Sequence, residues 1–251
     1  MNDMAPDDRE ESLLSHLVEL RTRLLKAVAA VVLVLIALLP FAQQLYTWLS
    51  DPLVARLPAG SQLVAIEVAS PFFAPIKLAF FVAVILAMPV VLYQLWAFVA
   101  PGLYRHEKRL AMPLLVSATL LFYAGCAFAY YLVLPVVFGF LTSVTPENVA
   151  MMTDISRYLD FVMMLFLAFG ASFEVPVAVV ILAALGVVDI AQLKQARGYV
   201  VVGAFVVAAI LTPPDVISQL MLAIPMCLLY ELGIVAARFV RPQDAAAARA
   251  R

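Results

Sequence analysis

The chain has 251 residues, of which 65% are hydrophobic and only 13% are charged, and its formal net charge is −1. A soluble domain is closer to half apolar and a quarter charged, whereas long apolar runs recur from one end of this chain to the other. This composition excludes a soluble domain with a single anchor and predicts an all-α polytopic membrane protein.

The chain begins with a polar, acidic stretch that we expect to be disordered over residues 1–11. After this stretch, leucines recur on one helical stripe between Leu13 and Leu24, and Ser12 can cap the start of that helix. An amphipathic helix of this kind lies in the membrane interface. It leads directly into the first apolar run.

Six apolar runs predict six transmembrane helices in a single domain over residues 1–240, followed by a flexible cytoplasmic tail over 241–251. Pro89 is expected to kink the second helix, and Pro135 is expected to end the third. The apolar parts of the fifth and sixth runs cover only about 20 Å and about 22 Å, less than the hydrocarbon core of about 30 Å, so both spans are predicted to be short. The predicted spans are 24–42, 72–100, 110–134, 158–188, 199–211 and 216–237.

The basic residues are distributed unequally between the two sides of the membrane. Of 16 lysines and arginines, 13 lie on the side that carries both chain ends and the loops after the second and fourth spans. Only Arg56 and Arg157 lie on the other side, and Lys77 lies within the second span. Because cytoplasmic segments are enriched in basic residues, both termini are predicted to be cytoplasmic.

Glu174 lies near the middle of the fourth span, where a charged carboxylate is costly unless it is paired, hydrated or protonated. One interpretation is a functional group that faces a cavity open to water; the other is a protonated carboxyl that ties helices together. Intramembrane acids favour the functional interpretation. A proton- or ion-coupled secondary transporter that uses Glu174 is the alternative function, although the two halves of the chain show no internal repeat.

Glu19 and Glu107 are acids embedded in basic cytoplasmic segments, Glu19 before the first span and Glu107 between the second and third spans. Taken as bare residues, they favour local ion pairs. Glu19 is four residues from Arg23 on one helical face, and Glu107 has basic neighbours on both sides. Exposed pairs of this kind contribute little to stability, typically under about 1 kcal/mol.

Other polar residues near the spans have structural interpretations beside functional ones. Asp215 directly precedes the sixth span and can cap that helix, and Lys77 can extend its ammonium group to the interface. Gln94, Thr212 and Gln219 can hold helices together or bind a partner helix. The sequence contains no nucleotide-binding, nucleophile or metal-binding motif, so we expect no enzyme activity and no cofactor.

Five segments of the chain together resemble TatC, the polytopic subunit of the twin-arginine protein translocase. The resemblance covers residues 12 to about 240, and five motifs in the same order are far more specific than any one of them. The segments are Ser15-His-Leu-Val-Glu-Leu-Arg-Thr-Arg23, Ala69-Ser-Pro-Phe-Phe73, Phe98-Val-Ala-Pro-Gly-Leu-Tyr-Arg-His-Glu-Lys-Arg109, Phe169-Gly-Ala-Ser-Phe-Glu-Val-Pro176 and Leu211-Thr-Pro-Pro-Asp215.

The resemblance implies a cupped, glove-like bundle of six helices in the bacterial inner membrane. It also implies a receptor for the twin-arginine signal peptides of folded precursor proteins, without a cofactor or a nucleic-acid partner and with transport driven by the proton-motive force. The implied partners are the single-span subunits TatA and TatB, the lipid bilayer and further copies of this chain.

The resemblance further implies roles for individual residues. Glu19 and Glu107 would bind the paired arginines of the signal peptide, because a guanidinium group pairs with a carboxylate in a planar, bidentate geometry. Glu174 would be the polar position inside the concave face. The other implied residues are Arg21, Phe98, Pro101, Leu103, Tyr104 and Arg105 for signal-peptide binding, Thr212 and Gln219 for partner-helix docking, and Pro52, Glu67 and Asp215 for periplasmic assembly.

Overall fold

The computed structural model describes residues 6–54, 62–99, 111–144, 152–212 and 216–239. Helices make up almost all of these residues, and two three-residue strands make up the remainder of the regular structure. In chain order the elements are α1 (Pro6–Leu38), a 3₁₀ turn (Leu39–Phe41), α2 (Ala42–Val54), β1 (Gln62–Val64), α3 (Ser70–Val99), α4 (Ala111–Phe128), a π turn (Ala129–Val133), α5 (Leu134–Ser143), β2 (Met152–Asp154), α6 (Ile155–Phe173), α7 (Val175–Ala184), α8 (Ile190–Gln195), α9 (Arg197–Leu211) and α10 (Val216–Phe239).

The apolar helices confirm an all-α polytopic membrane protein. Within the described residues, α9 is a shorter apolar helix of 15 residues, about 22 Å long. The count of six spans is consistent with this helix order and stays a prediction. The helical segments long and apolar enough to cross a bilayer are Leu17–Ser50, Ser70–Phe98, Met112–Phe140, Ile155–Ala184 and Val216–Phe239.

The predicted disorder over residues 1–11 was wrong from Pro6 onward, because α1 already begins there. A proline is tolerated in the first turn of a helix, where its missing N–H has no intrahelical partner to lose. The predicted amphipathic helix and the first span therefore form one continuous helix. α1 packs along α3, while most of its large apolar side chains stay exposed to the bilayer.

The sequence predicted that Pro135 ends the third span, and this prediction was wrong. A π turn over Ala129–Val133 precedes it, and α5 then continues through Pro135 to Ser143. Pro135 stands in the first turn of α5, where a proline ring is tolerated. The wider π turn absorbs the change in helical register that a proline would otherwise force as a break.

The fourth predicted span is divided at Glu174. α6 ends at Phe173, and α7 begins at Val175 with Pro176 in its first turn. The span also ends earlier than the predicted residue 188. α7 stops at Ala184 because Gly186 adopts a left-handed conformation with φ of 68°, which ends a helix.

The sixth span is longer than its apolar run indicated. α10 has 24 residues and continues past Tyr230 to Phe239, a length of about 36 Å. The prediction of a sixth helix too short to cross the hydrocarbon core was therefore wrong. The prediction failed because Glu231 interrupts the apolar run in the sequence. Glutamate is a good helix former, so the helix continues through this residue.

The main core lies where the π turn, α5, α6, α9 and α10 meet, with Leu165, Phe169 and Leu222 fully buried. Small residues allow the close approach of α4 to α6. A Cβ atom on Gly125 would lie 2.5 Å from the Phe169 carbonyl oxygen, and one on Gly170 would lie 2.6 Å from the ring of Phe122. Contacts of this kind are the usual way in which membrane helices pack.

The strands β1 and β2 pair in parallel, with Leu63 opposite Thr153. β1 belongs to the connector after the first span, and β2 belongs to the connector after the third. Both connectors were predicted to lie on the same, non-cytoplasmic side, and the pairing places them together. No strand was predicted from the sequence in either connector.

Candidate functional site

Glu19 forms the local ion pair that the sequence indicated. Two donors of Arg23, Nε at 2.9 Å and Nη2 at 2.7 Å, both bind the same carboxylate oxygen, Glu19 Oε1. Among the described residues, no hydrogen bond is made to Oε2. A carboxylate offers about four acceptor positions, so the pair with Arg23 leaves acceptor capacity on Glu19.

The end of α1 that carries Glu19 lies at the same membrane face as the end of α3 that carries Phe98. Leu45 and Leu49 of α2 pack near Leu78, close to the start of α3, so α1 and α3 run antiparallel. Phe98 is partly buried, one residue before α3 ends. The first half of α1 and the last turn of α3 are therefore at one face.

Most of the predicted docking loop falls outside the residues that the structure describes. Arg21 is described and its side chain is exposed on α1. The distance between Glu19 and Glu107 is therefore not part of the described geometry. The predicted site residues outside the described ranges are Pro101, Leu103, Tyr104, Arg105, Glu107 and Asp215, and the predicted tail over 241–251 lies outside them as well.

Glu174 occupies the break between α6 and α7. Its backbone N–H bonds to the Ala171 carbonyl at 3.1 Å, a tight turn where α6 ends. Its side-chain Oε1 is buried and has no hydrogen-bond partner among the described residues. The interpretation as a tie between helices therefore has no supporting contact there. Unpartnered buried polar atoms are uncommon and costly, which favours a functional role.

The predicted docking residues of the last two helices have different partners. Gln219 Nε2 donates to the Phe205 carbonyl at 3.2 Å and so joins α10 to α9. Thr212 is buried, and its hydroxyl donates to the Ala208 carbonyl of its own helix at 2.8 Å. Gln219 is thus a tie between helices, whereas Thr212 closes the end of α9.

Two ion pairs between helices were not predicted from the sequence. Arg197 Nη2 lies 2.6 Å from Glu231 Oε2 and joins α9 to α10. Lys77 of α3 pairs with Asp160 of α6, a partner that the prediction for Lys77 did not name. The sequence did contain a signal for the Lys77–Asp160 pair: Asp160 lies near the start of an apolar helix, where a carboxylate favours a charged partner.

On the opposite face, Glu67 is exposed beside the start of α3 and lines a cavity of about 260 Å³ between α3 and α6. Pro52, the other predicted assembly residue described, lies in α2. Both belong to the connector between the first two spans.

Comparisons with known proteins agree on one family. The family described as Sec-independent protein translocase protein (TatC) matches residues 15–225. A TatC from Azotobacter chroococcum mcd 1 is 57% identical, with 97% of this chain and 96% of the relative aligned. The TatC of Escherichia coli K12 is 56% identical over 91% of this chain and 89% of the relative.

A solved structure shows the same fold. The crystal structure described as Twin Arginine Translocase Receptor TatC superposes with a TM-score of 0.78 at 36% identity, over 90% of this chain and 99% of that chain. These comparisons give no support to the secondary-transporter alternative. By sequence along nearly its whole length and by fold, the chain belongs to the TatC family of Sec-independent protein translocase proteins.

Proposed function

We propose that this chain is the receptor for twin-arginine signal peptides of folded precursors, in the bacterial inner membrane with both termini in the cytoplasm. Membership of the TatC family supports this proposal, and so does the likeness to a solved structure described as a twin-arginine translocase receptor. The basic residues of the predicted cytoplasmic side support the orientation.

The observation that carries the proposal is the open carboxylate oxygen of Glu19. Arg23 holds Oε1 from the same helix and fixes the direction of the carboxylate. Oε2 can then accept a guanidinium group from a peptide, and a charge-assisted bond of this kind is about twice as strong as a neutral one. Glu107 supplies the second carboxylate in this proposal, one for each arginine of the pair.

The surface around the two acids would bind the apolar and polar residues beside the arginine pair. Phe98 is partly buried at the end of α3 and Arg21 is exposed on α1, so both border the same membrane face. The loop after α3 supplies the remainder of this surface in the proposal, namely Pro101, Leu103, Tyr104 and Arg105.

The experiment is photocrosslinking to this chain from a signal peptide that carries the photoreactive group beside two arginines, and from the same peptide with two lysines. We expect strong crosslinking only with arginines, because lysine is a point donor and cannot bind a carboxylate through a planar fork. Equal crosslinking of both peptides would contradict the proposal. Glu231→Gln is the matched control, since Glu231 is a half-exposed acid near the end of α10 that the proposal leaves outside the site.

The exposed face of α9 is proposed to dock the single-span subunits TatA and TatB. Val202 and Ile210 are highly exposed there, at 63% and 70%. Gln219 holds α9 on α10, and Thr212 closes the end of α9. Glu174 is proposed to act after binding, from the concave face. Copies of this chain are proposed to assemble through the connector that carries Pro52 and Glu67, together with Asp215.

A further inference from the structure

A polar cavity of about 260 Å³ opens between the first turns of α3 and α6, on the face that carries β1 and β2. Ser156 donates to Ser70 at 2.9 Å and joins the two helix starts. The Lys77–Asp160 ion pair forms a second wall. Ligand pockets for drug-sized molecules have volumes of about 300–1,000 Å³, so this cavity fits a smaller group.

The depth of the cavity along its helices is comparable to the thickness of a layer of lipid headgroups. Lys77 is seven residues into α3 and Asp160 is five residues into α6, which places them about 10 Å and about 8 Å below the helix starts. The headgroup layer occupies roughly 5–8 Å on each side of the hydrocarbon core. With the starts of α3 and α6 at the outer edge of the bilayer, the cavity would extend through this layer to Lys77 and Asp160 at its base.

The charges of the cavity leave one cation, Arg157, and two anions, Glu67 and Asp154, without an ion pair among the described residues. Lys77 and Asp160 neutralise each other. Asp154 accepts the Ile66 N–H at 3.5 Å. Arg157 and Glu67, which also line the cavity, make no ion pair among the described residues. Their charges complement a ligand that carries both a negative and a positive group.

An apolar surface continues from the cavity toward the middle of the bilayer. Phe80 lies one turn below Lys77 on α3 and is 51% exposed. Met164 and Leu167 continue the face of Asp160 on α6, and both are exposed. A headgroup in the cavity would place its acyl chains on this surface, so the occupant carries a hydrophobic tail.

We propose that the cavity binds a phosphoethanolamine lipid, with the phosphate at Arg157 and the primary ammonium at Glu67. Guanidinium groups bind phosphate oxygens through paired hydrogen bonds. A primary ammonium donates hydrogen bonds to a carboxylate, whereas the trimethylammonium of choline has no donor. An anionic headgroup would meet two carboxylates, at positions 67 and 154, and only one unpaired cation.

Native mass spectrometry of the full-length protein in detergent tests the proposal, with phosphatidylethanolamine, phosphatidylcholine and phosphatidylglycerol of the same acyl chains. We expect the ethanolamine lipid to be retained about ten- to a hundredfold more than the others, the factor for one charge-assisted hydrogen bond. Arg157→Gln should reduce its retention by a similar factor. Glu67→Gln should make ethanolamine and choline lipids equal. Arg238→Gln, an exposed arginine at the end of α10, is the matched control and should change nothing.

Equal retention of all three lipids, or variants that retain lipid as the unsubstituted protein does, would overturn the proposal. Displacement of the lipid by millimolar inorganic phosphate would show a free-phosphate site instead and would overturn it too. A second measurement needs no variant: stepwise N-methylation of the lipid ammonium should reduce retention at each step. Retention that stays constant along this series would contradict the role of Glu67.

Discussion

Arg197 and Glu231 form an ion pair of 2.6 Å that joins the start of α9 to the last third of α10. The adjacent residue, Tyr230, donates its hydroxyl to the Leu193 carbonyl of α8 at 2.7 Å. Two consecutive residues of α10 therefore hold the junction between α8 and α9 (the α8–α9 corner) against α10. The two bonds differ in burial, because the ion pair is half-exposed and the tyrosine bond is buried.

This difference predicts unequal effects on stability. Tyr230→Phe should lower the free energy of unfolding by about 1–3 kcal/mol, since it leaves a buried carbonyl without its donor. Glu231→Gln should lower it by less than about 1 kcal/mol, because exposed ion pairs contribute little. Thermal unfolding in detergent measures both. A larger effect of Glu231→Gln would show that the ion pair, and not the tyrosine, holds the corner.

The close contact of α4 with α6 predicts that Gly125 tolerates no side chain. Gly125→Ala would place a Cβ 2.5 Å from the Phe169 carbonyl oxygen, and backbone cannot move aside as a flexible side chain can. We expect a loss of about 1–3 kcal/mol in stability, measured by thermal unfolding. Gly203→Ala is the control: its Cβ would meet nothing within 4 Å, so stability should hold or rise. Equal effects of the two substitutions would contradict the packing.

The proposed receptor site predicts separate effects for its two acids. Glu107→Lys should abolish crosslinking of a twin-arginine peptide while the protein remains inserted, because a cation repels the paired guanidinium groups. Glu19→Gln should weaken peptide binding about ten- to a hundredfold, as expected for the loss of one charge-assisted bond. Titration with a labelled peptide measures both. Unchanged binding in Glu19→Gln would show that its open oxygen is not used.

The proposed role of Glu174 predicts that its loss impairs a step of export after the signal peptide has bound. Glu174→Ala removes the buried carboxyl at the break between α6 and α7. Export of a folded precursor should fall, whereas crosslinking to a signal peptide that carries the photoreactive group should stay at its normal level. Both are measured in the same membranes. A loss of crosslinking would show that Glu174 acts in the initial binding step, and it would contradict the proposal that Glu174 acts after binding.

The proposed docking face predicts a loss of partner subunits when α9 is released from α10. Gln219→Ala removes the bond to the Phe205 carbonyl and should reduce copurification of the single-span subunits. Leu232→Ala, an exposed apolar position on α10, is the control. If Gln219→Ala copurifies as many partners as the control does, the partners bind another groove.

Apolar run length and basic residues were sufficient to predict the helical membrane class, because both signals are local in sequence. The positions at which helices break were harder to predict. Pro135 continues the third span because a π turn precedes it, whereas Pro176 follows a break at Glu174. A proline has the same local effect at both positions. The surrounding helices decide which outcome the chain adopts.

Contacts between distant residues could not be predicted from the sequence at all. Lys77 and Asp160 are 83 residues apart, and each has other plausible partners in the sequence. The pairing of β1 with β2 rests on three residues a side, too few for an alternating pattern to appear. The ion pair of Glu19 with Arg23 was predicted correctly from the i,i+4 spacing, whereas the role of Glu19 in the receptor site stays a prediction.

The parallel pair of β1 and β2 fastens together two connectors whose helices enter the bilayer separately. If the α1–α3 hairpin and the α4–α6 hairpin separate, the β1–β2 pair acts as the hinge between them. The gap between the hairpins then opens widest at the face opposite the β1–β2 pair, where Glu19 and the end of α3 lie. Fastening one edge in this way gives the greatest freedom of movement to the edge at which a peptide would enter.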